Sequence, residues 1–285
     1  MNGLLVIDKP GGMTSRDAVN YVERTLPRGT KVGHTGTLDP LATGVLVVCV
    51  GQATRLADDV QAMGKGYAAA IRLGATSTSD DADGDVTEVA DPRAPTHAEV
   101  EAACAKLVGL IDQLPPQVSA LKIDGRRAHD LARKGHEVPV KPRRVLVKSV
   151  AVTGYDWPTL GIAVECGKGT YIRSIARDLG ELLGCGGYVT ALRRTHVGPF
   201  AVEQGVGVDA NLATLTASLR PMADGVRDLQ SVRVSESEGK ALFQGQTLAS
   251  TLIGRVAVFV GDTLHALAEA DGVRLRPRAV FPATK

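Results

Sequence analysis

Residues 29–44 hold four glycines, one proline and little hydrophobic content, and they run directly into the apolar stretch Val45–Val50. Glycine at that density disfavours a helix and weakens a strand interior. The stretch therefore reads as a long loop feeding a buried strand, and loops of this length in compact domains often carry function. Its centre, Gly33-His34-Thr35-Gly36-Thr37-Leu38-Asp39-Pro40-Leu41-Ala42-Thr43-Gly44, brings one carboxylate and one imidazole onto the loop. Asp39-Pro40 is by itself a turn starter, because the proline ring pushes Asp39 out of helical geometry. A lone carboxylate on a rigid loop also suits nucleophilic or acid–base work.

Short strands and helices alternate around this loop. Leu4–Ile7 reads as a buried strand closed by the turn cluster Asp8-Lys9-Pro10-Gly11-Gly12. Thr14-Ser15-Arg16-Asp17 has the hydroxyl-to-acid spacing of a helix start, and Ala18, Val19, Val22 and Leu26 give that helix one apolar face. Strands are expected at Tyr67–Leu73, Val145–Val152, Leu160–Val164 and Val189–Val197. Helices are expected over Glu99–Leu110 and from Thr170, where Ile172, Ile175, Ala176, Leu179 and Leu183 follow the helical period. From about Val226 the texture changes. Short apolar runs (Val256–Val260, Leu264–Leu267, Val273–Leu275) alternate with Gly-Asp and Asp-Gly turns, which suggests a small β-rich module of about 60 residues. A chain of 285 residues has room for one large domain and one small one, with the boundary near 222–228.

The net charge of +2 singles out no partner, so any asymmetry is local. Residues 80–91 carry six acids and no Lys or Arg, whereas residues 121–148 carry nine Lys or Arg against three acids. The basic run Lys122, Arg126, Arg127, Arg133, Lys134, Lys141, Arg143 and Arg144 reads as a solvated face or, given its concentration, as a surface for a phosphate backbone. An EF-hand starting at Asp81 needs Gly at its sixth position and Glu at its twelfth; Val86 and Pro92 stand there, so an acidic loop remains. Cys49, Cys104, Cys166 and Cys185 form no CxxC pair, which argues against zinc-ribbon and thioredoxin-like sites and requires no disulfide. No apolar run approaches the ~20 residues of a membrane span, and the apolar residues after Met1 lack the basic lead of a signal peptide. A cytoplasmic protein with reduced thiols is the expectation.

The segment Cys166-Gly167-Lys168-Gly169-Thr170-Tyr171-Ile172-Arg173 invites two nucleotide motifs and satisfies neither. A P-loop needs four residues before Gly-Lys and a hydroxyl after it; here five separate Gly161 from Gly167, and Gly169 follows Lys168. GxGxxG fails because Ile172 stands in place of the third glycine. What remains is a helix start capped by Thr170, with Arg173 in the first turn, opposite Ile172 and Ile175. A cation there opposes the helix dipole. Arg173 is then either solvated or held for a carboxylate or phosphate partner. Tyr67, after Lys65-Gly66, is by itself most simply a core aromatic of its strand.

Taken in order, these segments resemble the bacterial tRNA pseudouridine synthase B (TruB) family over most of residues 1–200. The resemblance is carried by Asp8-Lys9-Pro10-Gly11-Gly12-Met13-Thr14-Ser15, by the loop Gly33–Gly44, and by Leu114-Pro115-Pro116-Gln117-Val118-Ser119-Ala120-Leu121-Lys122. It continues through Gly125-Arg126-Arg127-Ala128, Gly169-Thr170-Tyr171-Ile172-Arg173 and Ala191-Leu192-Arg193-Arg194. The resemblance implies an α+β fold: a mixed, mainly antiparallel sheet with flanking helices over residues 1–225, followed by a PUA-like RNA-binding domain at 226–285. It implies isomerisation of a uridine to pseudouridine in the TΨC loop of tRNA, at position 55 in tRNA numbering, through base flipping. By the same resemblance Asp39 is the catalytic carboxylate, which attacks the sugar, attacks the ring or removes a ribose proton. Arg173 is its ion-pair partner, and Tyr67 stacks on the target base. His34 takes the place of the flipped nucleotide. Lys9, Pro10, Tyr171 and Leu192 shape the pocket. Lys122, Arg126, Arg127, Arg143 and Arg144 are expected to contact the RNA backbone. No cofactor and no metal are expected, and the partner is the tRNA T-arm, met by a monomer with no obligatory protein partner. One departure is His129, where many members have Tyr.

Overall fold

The computed structural model describes residues 1–117 and 141–282, together with the backbone of residues 122–123 and 126–127. Its strands are, in chain order, β1 (Gly3–Lys9), β2 (Val32–His34), β3 (Thr43–Val50), β4 (Lys65–Leu73), the hairpin β5 (Ala75–Ser77) and β6 (Val86–Glu88), and β7 (Gly109–Gln113). The two-residue β8 (Lys122–Ile123) and β9 (Arg126–Arg127) follow, then β10 (Arg143–Asp156), β11 (Thr159–Cys166), β12 (Gly187–Val197) and β13 (Phe200–Ala201). The C-terminal strands are β14 (Gln230–Val234), β15 (Leu248–Ala249), β16 (Ile253–Val260), β17 (Thr263–Asp271) and β18 (Arg274–Val280). Among the described residues the helices are α1 (Ser15–Thr25), α2 (Ala57–Ala62), α3 (His97–Lys106), α4 (Ile172–Leu183), α5 (Leu212–Ala217) and α6 (Glu236–Phe243).

The larger sheet runs β1-β3-β12-β4-β11-β10-β7, with β2 added to β3 and β13 to β12. Its pairs are antiparallel except β12 with β3, which run parallel where Arg193 faces Thr43 and Arg194 faces Gly44. That crossing is tight. Gly44 has φ +95°, and a Cβ there would press into the Arg194 backbone, so the position requires glycine. One face of the sheet packs on α1, α3 and α4 through Leu5, Val19, Val48, Ile71, Ile162 and Ile175. The architecture is α+β, as the sequence led us to expect. The α1 start is a capping box, in which Thr14 Oγ1 accepts from the Asp17 N–H and the Asp17 carboxylate accepts from the Thr14 N–H.

The opposite face, under β1 and β3, is covered by residues 51–63 and by the second sheet, ordered β14-β16-β17-β18-β15. Leu4, Val47, Leu56, Val60 and Phe200 share one apolar core with Val226, Ala257, Leu264, Leu267 and Phe281. Arg255 of β16 adds an ion pair to Asp59 of α2. The second sheet has a further core of its own, closed by Leu242 of α6.

Three elements differ from the sequence reading. Residues 29–44 contain β2, which pairs with the end of β3, so the irregular part shortens to 35–42. The helix expected over Glu99–Leu110 ends at Lys106, because Gly109, at φ +113°, turns the chain into β7. Helix α6 lies in the module read as β-rich; it starts from a capping box of Ser235 and Glu238. All four cysteines are buried and unpaired. Among the described residues no helix is long and apolar enough to cross a membrane, and no group of three or more His, Cys, Asp and Glu side chains is arranged to hold a metal.

Candidate active site

The loop 35–42 has no regular structure, yet buried polar groups fix it from several sides. Ser15 Oγ, at the start of α1, accepts from the Leu38 N–H (2.7 Å) and donates to the Leu38 carbonyl (3.0 Å). Lys9 at the end of β1 is wholly buried, and its Nζ donates to the carbonyls of Pro10 (2.8 Å), Met13 (2.8 Å) and Pro40 (3.3 Å). Arg194 of β12 is also buried; its Nε donates to the Val45 carbonyl (2.7 Å) and its Nη2 to the Gly36 carbonyl (3.1 Å). Burial lowers the Lys9 ammonium to a pKa of about 8 against an opposing pull from Asp39.

These anchors present Asp39 to Arg173 of α4. Arg173 Nε lies 3.0 Å from Asp39 Oδ2, and its Nη1 lies 3.1 Å from Asp81 Oδ2 and donates to the Ser79 carbonyl (2.9 Å). The neighbouring Arg177 pairs with Asp80 (2.9 Å). The acidic stretch is therefore a clamp for two arginines of α4. The cation at the helix start is compensated by carboxylates, which resolves its conflict with the helix dipole. Burial pushes the Asp39 carboxyl above the usual carboxylate range; Arg173 and Lys9 pull it down, and Asp81 and Asp83 push it up. Burial likewise raises the Tyr67 phenol, against the lowering influence of the positive charge of Arg194.

A cleft of about 570 Å³ opens over this pair. Its lining brings together Asp39, Tyr67, Arg173, Tyr171, Leu192, Arg143 and Arg144, all singled out from the sequence. Lys65, Lys168 and Arg194 line it as well. Lys9, His34 and Pro10 are not among the lining residues: Lys9 sits beneath the loop, and His34 is on β2, its Nδ1 accepting from the Gly36 N–H (3.4 Å). The side chains of Lys122, Arg126 and Arg127, and residue His129, lie outside the described residues. Thr170 is not the cap of α4, as its hydroxyl donates to the Gly167 carbonyl (3.2 Å) and Tyr171 occupies the N-cap position, its side chain making no capping bond to the helix start. Sequence reasoning passed over Arg194, Ser15 and Asp81 as site residues. Each stood inside a motif already noted, but a buried arginine or serine has no charge or period signature to set it apart.

The whole fold is shared with solved structures. One titled as a Cbf5–Nop10–Gar1 complex matches at a TM-score of 0.77 and 26% identity, covering 98% of this chain and 85% of that one. Another, titled as an H/ACA RNP bound to a substrate RNA containing 2'-deoxyuridine, matches at 0.76 and 24% identity, with 98% and 85% covered. The family that the sequence matches defines the class, a pseudouridine synthase. The family description "TruB family pseudouridylate synthase (N terminal domain)" matches residues 24–172, and "tRNA pseudouridylate synthase B C-terminal domain" matches residues 173–222. The protein named tRNA pseudouridine synthase B in Thermobifida fusca (strain YX) is 44% identical, with 98% of each chain covered. Its namesake in Xanthomonas axonopodis pv. citri (strain 306) is 41% identical, with 99% of this chain and 94% of that one covered. The chain belongs to the TruB family of pseudouridylate synthases.

Proposed function

We propose that this chain converts a uridine of the TΨC loop of tRNA to pseudouridine, with Asp39 as the catalytic carboxylate. The observation that carries the reading is the Asp39–Arg173 pair, a carboxylate held by one buried guanidinium at the floor of a cleft whose rim carries Arg143 and Arg144. The target nucleotide leaves its stack to reach that floor. Tyr67 stacks on the uracil, and His34 fills the place the base leaves in the loop. The bond from uracil N1 to ribose C1′ breaks, the ring turns, and C5 bonds to C1′. The C5 proton is lost and N1 gains one, so the net change is an isomerisation.

Arg173 keeps Asp39 oriented and favours its ionised form. Lys9, Pro10, Tyr171 and Leu192 shape the pocket. The T-arm backbone is held by Lys122, Arg126, Arg127, Arg143 and Arg144. Residues 1–225 form the catalytic domain, and residues 226–285 form a PUA-like RNA-binding domain. The enzyme works as a cytoplasmic monomer, with tRNA as its partner. The test is tritium release from a tRNA transcript labelled at uridine C5, for wild type and Asp39→Asn at equal RNA occupancy. Release by wild type alone, with both proteins bound, is the expected result. Tight binding without release by wild type would reassign the chain as a noncatalytic RNA-binding protein.

A further inference from the structure

Helix α4 carries Arg173 and begins at Tyr171, whose side chain does not cap it. Its first turn is instead held from outside by the end of β7. Gln113 is buried, and its side-chain amide bonds the Tyr171 backbone at both ends: Oε1 accepts from the Tyr171 N–H (2.8 Å), and Nε2 donates to the Tyr171 carbonyl (3.0 Å). The next residue extends the clamp, because the Leu114 carbonyl accepts from Ser174 Oγ (2.9 Å) and Arg177 Nη2 (2.9 Å). Gln113 also faces Arg143 across the β7–β10 pairing, and Arg143 lines the cleft with Tyr171. A single residue, through its strand pairing and its side-chain amide, thus links the basic wall of the cleft to the wall that holds Arg173.

We propose that Gln113 is a positioning residue for the isomerisation. By gripping both polar groups of the Tyr171 backbone, it fixes the Tyr171 ring in the cleft and aims Arg173, two residues on, at Asp39. This rests on the function proposed above. The amide suits the task because it offers one donor and one acceptor side by side, matching the Tyr171 N–H and the second acceptor position of a carbonyl that also accepts from the Ile175 N–H (3.2 Å). A protonated carboxylic acid presents the same pair; an ionised carboxylate presents acceptors only.

The test uses Gln113→Met, which removes both bonds at similar volume, and Gln113→Glu, which restores them only when protonated. Single-turnover tritium release at saturating tRNA is measured with RNA affinity and Tm. Tyr171 is followed by fluorine NMR in protein labelled with 3-fluorotyrosine, its signal assigned with Tyr171→Phe. Val258→Ala, in the core of the second sheet, is the stability control. For Gln113→Met the expected result is a rate about ten- to a hundredfold lower, with RNA affinity retained, the Tyr171 resonance moved and that of Tyr67 unmoved. For Gln113→Glu the rate relative to wild type rises as pH falls, and its Tyr171 resonance returns towards the wild-type position over the same range. Wild-type release by Gln113→Met, loss confined to RNA affinity, a pH-independent ratio for Gln113→Glu, or an equal rate loss in Val258→Ala would each overturn the proposal. If Gln113→Met does not fold, the pH ratio of Gln113→Glu decides. If wild type releases no tritium, the proposed function falls, and the Tyr171 resonance still decides whether Gln113 holds the helix start.

Discussion

Asp39 and Asp81 meet the same guanidinium, and they are held in opposite ways. The Asp81 side chain is 4% exposed; besides Arg173 it accepts from Ser79 Oγ and from the Asp83 N–H. The Asp39 side chain is 33% exposed, and among the described residues its carboxylate meets Arg173 and no other donor. Their loops differ in the same sense. The acidic loop is tied down through its own carboxylates, which reach Arg173 and Arg177. The Asp39 loop is tied down through its backbone, by Ser15 on Leu38 and by Lys9 and Gly12 on Pro40. A carboxylate has about four acceptor positions. At Asp81 three of them are spent on structure, whereas at Asp39 most remain for a substrate in the cleft.

Asp39→Asn separates the two roles most sharply. Release of tritium is expected to fall by about 10³-fold or more, while tRNA affinity is retained. Stability goes the other way. A carboxyl whose folded pKa lies above its unfolded value binds more protons folded than unfolded between the two. Its contribution to stability is therefore lost as pH rises through that window, and above it the ionised Asp39 is a net cost. Asp39→Asn should melt no lower than wild type by calorimetry; a clearly lower Tm would mean that Asp39 is structural in the way Asp81 is.

Asp81→Asn is the converse. It takes the buried ionic partner from Arg173, and breaking a buried pair costs about 3 kcal/mol or more. Urea unfolding at neutral pH measures this loss. Tritium release also falls, because Arg173 loses the carboxylate that helps hold it from behind. Equal stability losses in Asp39→Asn and Asp81→Asn would break the comparison.

The sequence made one of these aspartates visible and hid the other. Asp39 stood out because it was a single carboxylate in a long glycine-rich loop before an apolar strand. Asp81 was one of several acids in a row, and nothing in composition tells a clamped acid from a solvated one. The strands β1, β3, β4 and β12 were legible from their apolar runs, and α1 from its capping box and apolar face. The end of α3 at Lys106 was not, since Val108 and Leu110 prolong the apolar pattern past the turn made at Gly109. Arg194 was hidden for a physical reason: only the register of β12 against β3 and β4 turns its guanidinium inward to Val45 and Gly36.

Ser15→Ala tests whether the Asp39 loop really is held by its backbone. The substitution leaves the buried Leu38 N–H without its partner, at a cost of about 1–3 kcal/mol. The rate of tritium release should fall more than tRNA affinity, since the variant leaves every charged group of the cleft in place. If only affinity fell, the loop would be shaped by RNA and not by Ser15.

The smallest effect concerns the pH at which Asp39 loses its charge. Activity through an ionised Asp39 fails as pH drops through its pKa, and burial moves that point above the ordinary carboxylate range. Asp83 adds to the rise by like-charge repulsion but is itself exposed, so its influence is screened by salt. In Asp83→Asn the acid limb of the single-turnover rate should therefore move to lower pH, and the difference from wild type should shrink at high ionic strength. An acid limb that stays put in Asp83→Asn at low salt would show that burial, Arg173, Asp81 and Lys9 set the Asp39 titration without Asp83. A limb that moves equally at low and high salt would place the Asp83 charge behind protein and not in water.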